Sequence, residues 1–434
     1  MKKYKIVILV CAFTLLGIFT CRVSKTSNVY EENENNQMKK QVNTISMMLE
    51  TEAGSGKYEM TTRDSWPTEG YVFNSTLSKC ENGGELSWDD TNKKVLMSGN
   101  ISDKCYVYFD IETKVFLADY VKSLYTGTQG DNNIYYHDSS LENGAGDNSY
   151  RYAGSSETTN NYVCFGSSAE TCPEDSLYRI IGVFDGKVKL IKSTGTTNTL
   201  LGTDGTYTSN SRSYAWTDLD SCPSTTAYKF DNNVVVLSNK NILGAVPDGG
   251  KSGCNMWKYS NLNSVNLNTN FITNLGIKWA ALVDNATWKV SGYSTANVTA
   301  KTMYTAEITN ATKTYGPSDG TSKIGLMYAS DYGFAASPSA WTTLLSSYND
   351  SSIKSTNWIY NAGMEWTMTP YSSDSYSVFI LSYVSTVSNT GNLGTWSSLG
   401  AAAGFGTRPA MYLNASVVYT RGSGTASDPI RIEI

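Results

Sequence analysis

The stretch from Ser176 to Ser193, SLYRIIGVFDGKVKLIKS, constrains the fold more than any other part of the chain. Its first limb, LYRIIGVF, is β-branched and aromatic, and its second, KVKLIK, alternates polar and apolar residues. Asp185-Gly186 lies between them. That dipeptide tolerates the positive φ angles of a tight two-residue turn, so the pattern predicts a β-hairpin. We read it as the nucleus of a large β-rich domain.

A chain of 434 residues is long enough for two or three domains and a sizeable core. Charged residues make up 17% of it, against a usual share of about 25%. Solubility must then come from Ser, Thr, Asn, Gly and the 30 Tyr, a palette suited to sheets joined by amide- and hydroxyl-rich loops. The net charge of −5 comes with no dense basic patch, which argues against nucleic acid as a partner.

The chain opens MKKYK and continues with the apolar run Ile6–Cys21. Lysines before such a run make an export signal. Three fates are open: an uncleaved anchor, a cleaved signal without a clear small-x-small site, or a lipoprotein with a poor lipobox before Cys21. The lysine-rich start places the N-terminus in the cytoplasm and the remainder outside. Residues 27–50 read as a polar stalk or spacer. Residues 51–112 read as a small β module of short runs such as GELSWDD and KCYVYFD. Ile111–Tyr125 carries Val115, Phe116, Tyr120, Val121 and Leu124 at helical spacing and predicts a connector helix.

Outside the leader six cysteines remain, an even number that suits disulfides in an exported chain. Proximity alone pairs Cys80 with Cys105, Cys164 with Cys172, and Cys222 with Cys254. There is no CxxC, and His137 is the only histidine, so no metal site or cofactor is expected. The acidic residues Asp131, Asp138, Glu142 and Asp147 fall in Gly- and Asn-rich loops. Their spacing does not match an EF-hand, which favours ordinary turns over calcium.

Several segments in order carry a resemblance. Tyr178-Arg179-Ile180 opens the series. A tryptophan-bearing WKYSNLNSVNLNTNFI segment follows, then IGLMYASDYGFA and Glu365–Pro370 (EWTMTP), and Gly406–Leu413 (GTRPAMYL) closes it. Together, over roughly residues 145–420, they resemble a bacterial domain of exported proteins that is similar to the C-type lectin fold. That branch also holds the formylglycine-generating enzymes and hypervariable display proteins. The resemblance implies a β-rich domain with long irregular loops that present a ligand face. The calcium-ligating triplets of sugar-binding C-type lectins are absent, and so is the cysteine site of the formylglycine-generating enzymes.

Catalytic motifs are weak. Gly316–Gly320 (GPSDG) matches G-x-S-x-G, but it lacks the strand–turn–helix setting and a convincing histidine. The acidic pairs Asp89/Asp90 and Asp218/Asp220 read as turn residues. Arg408, just before the closing strand of a low-charge domain, is expected to meet a buried carboxylate, either Glu365 or Asp331. The candidate ligand-binding residues are Trp396, Asn392, Asn389 and Ser397. They lie in a small, Gly-rich stretch that in the resembling fold lies among the display loops; a cap on the core is the alternative for Trp396.

The expected architecture is therefore α+β. It comprises a hydrophobic N-terminal helix over residues 1–26, a stalk over 27–50, a disulfide-stapled β module over 51–112, a connector helix over 113–132 and a C-type-lectin-like main domain over 133–434. The expected function is non-catalytic: an adhesin-like bacterial cell-surface binding protein for a glycan or protein, held at the membrane by its N-terminal segment or secreted if that is cleaved. A structural envelope or pilus-like component is the alternative.

Overall fold

The structure is a computed structural model. It describes residues 26–32, 38–62, 65–67, 69–98, 103–208, 213–215, 225–230, 233–238, 257, 260–309, 321–361, 363–370, 378–381, 384–385, 388–389, 391–395 and 404–433. It is β-rich with a few short helices, and its residues fall into two compact units, Met1–Lys114 and Val115–Ile434. The apolar run of the N-terminus lies outside the described residues. Among those described, no helix is long and apolar enough to cross a membrane.

The first unit holds β1 (Thr26–Glu32), β2 (Met38–Glu50), β3 (Tyr58–Met60), β4 (Tyr71–Phe73), β5 (Lys79–Cys80), β6 (Glu85–Asp89), β7 (Lys94–Ser98) and β8 (Lys104–Ile111). The described parts of the segment expected as a stalk or spacer, residues 27–32 and 38–50, are strand. β1 and β2 pair antiparallel, and β2 pairs parallel with β8. The reason is a period-2 match: Ile45 lies across from Cys105, Met47 from Val107 and Leu49 from Phe109. Met47, Leu49, Val107 and Phe109 are the buried apolar centre of this unit, with Phe73 and Trp88 packed on it. The Cys80–Cys105 disulfide joins β5 to β8.

The second unit opens with β9 (Val115–Phe116) and α1 (Leu117–Ser123), which falls within the stretch expected to be helical. β10 (Ile134–His137), β11 (Ser149–Tyr152), β12 (Tyr162–Cys164), β13 (Leu177–Phe184) and β14 (Lys187–Lys192) follow. They form a seven-stranded sheet in the order β10, β11, β13, β14, Ala410–Tyr412, Ile324–Gly325, with β12 also on β13. The expected hairpin is β13–β14. Asp185 (φ 48°) and Gly186 (φ 74°) both take the positive φ that its turn demands. A bulge lies between Ile180 and Gly182, and a Cβ at Gly182 would run into the Tyr150 carbonyl of β11. The second expected disulfide, Cys164–Cys172, is present, and Cys222 and Cys254 lie outside the described residues.

Although β14 alternates polar and apolar residues, five of its six residues are buried, Lys189 and Lys192 among them. The helix Ala329–Ala335, buried along its whole length, supplies Asp331 as the partner of Lys189. Trp288, Trp341 and Trp366 are fully buried in the same core. The C-terminal strands Val418–Arg421 and Arg431–Glu433 pair with each other, and the first of them also pairs with β9. Phe116 and Glu433 thus lie on opposite sides of Val418. The rings of Tyr120 and Tyr419 stack beside this ribbon at 3.7 Å.

Candidate functional site

A partly open cavity of about 230 Å³ lies against β11, β13 and β14. Arg151 from β11 and Lys189 from β14 enter it as cations, and Asp147 and Asp331 enter it as acids. Phe184, Tyr304, Tyr328 and Tyr412 form its aromatic walls. Arg151 and Lys189, each the third residue of its strand, thus meet Asp147 of the preceding loop and Asp331 of a seven-residue helix in one low-dielectric space.

The charges are tied to one another. Arg151 Nη2 donates to Asp147 Oδ2 at 2.6 Å and Nε to Ser149 Oγ at 2.8 Å, while Nη1 lies 3.7 Å from Asp331 Oδ1. The guanidinium also lies 4.6 Å from the Phe184 ring centre and 5.0 Å from that of Tyr304. Tyr304 Oη donates to Asp147 Oδ2 at 2.8 Å. Burial alone pushes the Asp147 carboxyl up. The adjacent Arg151, with hydrogen bonds from Ser149 and Tyr304, reverses this and holds it well below the usual carboxylate range. Lys189 Nζ donates to Asp331 Oδ2 at 2.6 Å, and both side chains are nearly inaccessible, at 1% and 2%. Burial lowers the lysine's proton affinity, and Asp331 offsets this in part.

Behind this group lies Glu307, fully buried. Thr369 Oγ1 donates to its Oε1 at 2.5 Å, and the Ser330 N–H lies 3.3 Å from its carboxylate oxygens. Burial raises it to about 8, so at neutral pH it is a protonated acid. Ser330, 1% exposed, lines the cavity and lies beside the Glu307 carboxyl.

Of the four residues proposed from sequence, Asn392 is the one whose side chain is described, and it does not line this cavity. Trp396 and Ser397 lie outside the described residues. Only the backbone of Asn389 is described, in a short strand paired with Val384–Ser385. Asn392 is half-buried beside Gly391, whose carbonyl accepts a 2.5 Å hydrogen bond from Tyr332 Oη. The motif Gly316–Gly320 and the pair Asp218/Asp220 also lie outside the described residues. Asp89 caps the turn at Asn92, and Asp90 pairs with Lys93 at 2.6 Å, which is the turn role read from the sequence. Asp138 caps its own turn at Ser140, whereas Asp147, read as a loop residue, is a wall of the cavity. His137 is buried, and desolvation pushes it well below its ordinary value, so it is a neutral core ring between Phe334 and Trp341.

Arg408 does meet a buried carboxylate: it contacts Glu365 at 2.7 Å. Among the described residues the one cluster with metal-ligand composition is Cys80, Asp103 and Cys105. The two cysteines are joined to each other, and Asp103 accepts from the N–H groups of Asn82, Gly84 and Lys104, so the cluster offers no thiolate. The signal that could have pointed to the cavity is the scarcity of charge: in so neutral a chain, a lysine in a central strand demands a buried partner. No family model, no curated protein and no solved structure matches this chain.

Proposed function

We propose that this chain is a non-catalytic, adhesin-like binding protein of a bacterial cell surface, and that its ligand is a polar group of a surface glycan. One observation carries the reading. The cavity combines aromatic walls with internally paired charges and the buried hydroxyl of Ser330. Ring faces beside fixed acceptors and donors suit the alternating apolar and hydroxyl faces of a sugar. The volume favours one sugar unit over an extended chain. Two disulfides support an oxidising compartment. A C-type-lectin-like fold for the larger unit and a membrane anchor in the first 26 residues belong to the same proposal.

The test is a glycan and mucin array probed with residues 27–434, with calcium and again with chelator. Binding that is lost in Ile308→Trp, which fills the cavity, supports the reading. Binding that is lost only in Trp396→Ala moves the site to that loop. A uniformly blank array together with concentration-dependent self-association favours a structural envelope role. Four exposed apolar side chains of the first unit, Met60, Val72, Leu77 and Leu96, speak for that second reading.

A further inference from the structure

The cluster beneath the cavity has a property that ligand binding does not use. We propose that Lys189 and Asp331 join as an intramolecular amide, cross-linking β14 to the helix Ala329–Ala335 across 142 residues of chain. This does not rest on the glycan reading, because the bond would form with or without a ligand.

The geometry is that of a poised condensation. Nζ lies 2.6 Å from Asp331 Oδ2, one bond from the carboxyl carbon it would attack. That contact is the one side-chain hydrogen bond of Lys189 among the described residues. The rest of its surroundings are rings, with Tyr328 at 4.4 Å, Trp288 and Tyr412 at 5.4 Å and Phe184 at 5.7 Å. Burial weakens the lysine's hold on its proton in so dry a site, which makes the neutral amine an accessible form. The Tyr328 N–H donates to Asp331 Oδ2 at 2.9 Å, and Arg151 lies 3.7 Å from Oδ1. Both can stabilise the negative charge that builds on the carboxyl oxygens during attack. Glu307, held at Ser330 next to Asp331 in the chain, is a buried acid able to relay a proton.

The step balances without any cofactor. A proton passes from Nζ to the carboxylate, leaving an amine and an acid. Nζ attacks the Asp331 carbonyl carbon, and the C–N bond forms. A second proton from Nζ reaches the departing hydroxyl through Glu307, the C–O bond breaks, and one water leaves. Nothing is oxidised or reduced.

The test is a proteolytic digest of the purified full chain, reduced and alkylated, read by tandem mass spectrometry. The expected product is one branched peptide that joins the Lys189 and Asp331 segments, lighter than their sum by one water, with no cleavage after Lys189. Recovery of both segments as linear peptides of sequence mass would overturn the cross-link, and this result needs no variant. In Lys189→Met the branched species must vanish. In Glu307→Ala, with both disulfides formed, the linear peptides should dominate. Complete cross-linking there would remove Glu307 from the mechanism.

Discussion

The two units solve the problem of a low-charge chain in opposite ways. The first keeps its ion pairs outside and meets its buried acids, Glu50 and Asp103, with backbone N–H groups. Its ion pairs, such as Lys93–Asp90 and Lys104–Glu81, are exposed, and its buried apolar centre consists of four side chains clipped by a disulfide. The second takes charges inside, pairing Arg151, Lys189 and Arg408 with acids in its core. Exposed pairs are screened and worth little, whereas breaking a buried pair strands a charge in low dielectric. The difference predicts where each unit is fragile.

The largest effect is expected in the second unit. Glu365→Ala leaves Arg408 buried without its acid and should destabilise that unit by about 3–5 kcal/mol, measured by urea unfolding followed through tryptophan fluorescence. A loss below about 1 kcal/mol would mean that the ion pair is solvated in solution. Next comes the first unit's clip. Cys80→Ser with Cys105→Ser should cost it about 2–4 kcal/mol, and hydrogen exchange should then show β2 and β8 opening while β13 and β14 stay protected. Equal opening of both units would erase the contrast.

A smaller effect depends on pH. Burial raises Glu307 from 4.5 to about 8, so the folded chain keeps a proton that the unfolded chain has released. Stability from this group is therefore complete below pH 4.5 and declines as pH rises toward 8. Glu307→Gln should flatten that decline, measured as the urea midpoint at a series of pH values. An unchanged slope between wild type and variant would place the acid in contact with water. His137 has the opposite sign. Its lowered value makes stability fall as pH drops below 6.5. The smallest effect is on the surface. Asp90→Ala should move first-unit stability by no more than about 0.5 kcal/mol.

Local signals in the sequence were legible where they were self-sufficient. Asp185-Gly186 specifies its own turn, and the spacing of Val121 and Leu124 its own helix. Gly276 (φ 83°) separates the helical turns Ile272–Leu275 and Ile277–Leu282. Arg408–Glu365 was half legible: a charge before the closing strand of a low-charge domain needs a buried acid, and the sequence left Glu365 and Asp331 both open. The strand nature of residues 38–50 was written in Ile45, Met47 and Leu49 at period 2, but the many amides around them read as a spacer. The cavity was not legible. KVKLIK has the same pattern whether its polar face meets water or a helix, and Asp331 approaches from 142 residues away. Asp147 looks like any loop aspartate until Arg151 lies beside it.

The ribbon of β9, Val418–Arg421 and Arg431–Glu433 gives the second unit a mechanical character. β9 and the last strand run in the same direction on either side of the middle strand. Tension applied between the chain ahead of β9 and the chain after Glu433 slides these two strands oppositely along their shared neighbour. Their hydrogen bonds are loaded together, in shear, and do not open one by one. A tether under pull would therefore strain this small clasp first, while the seven-stranded sheet and its cavity carry no load until the clasp gives way.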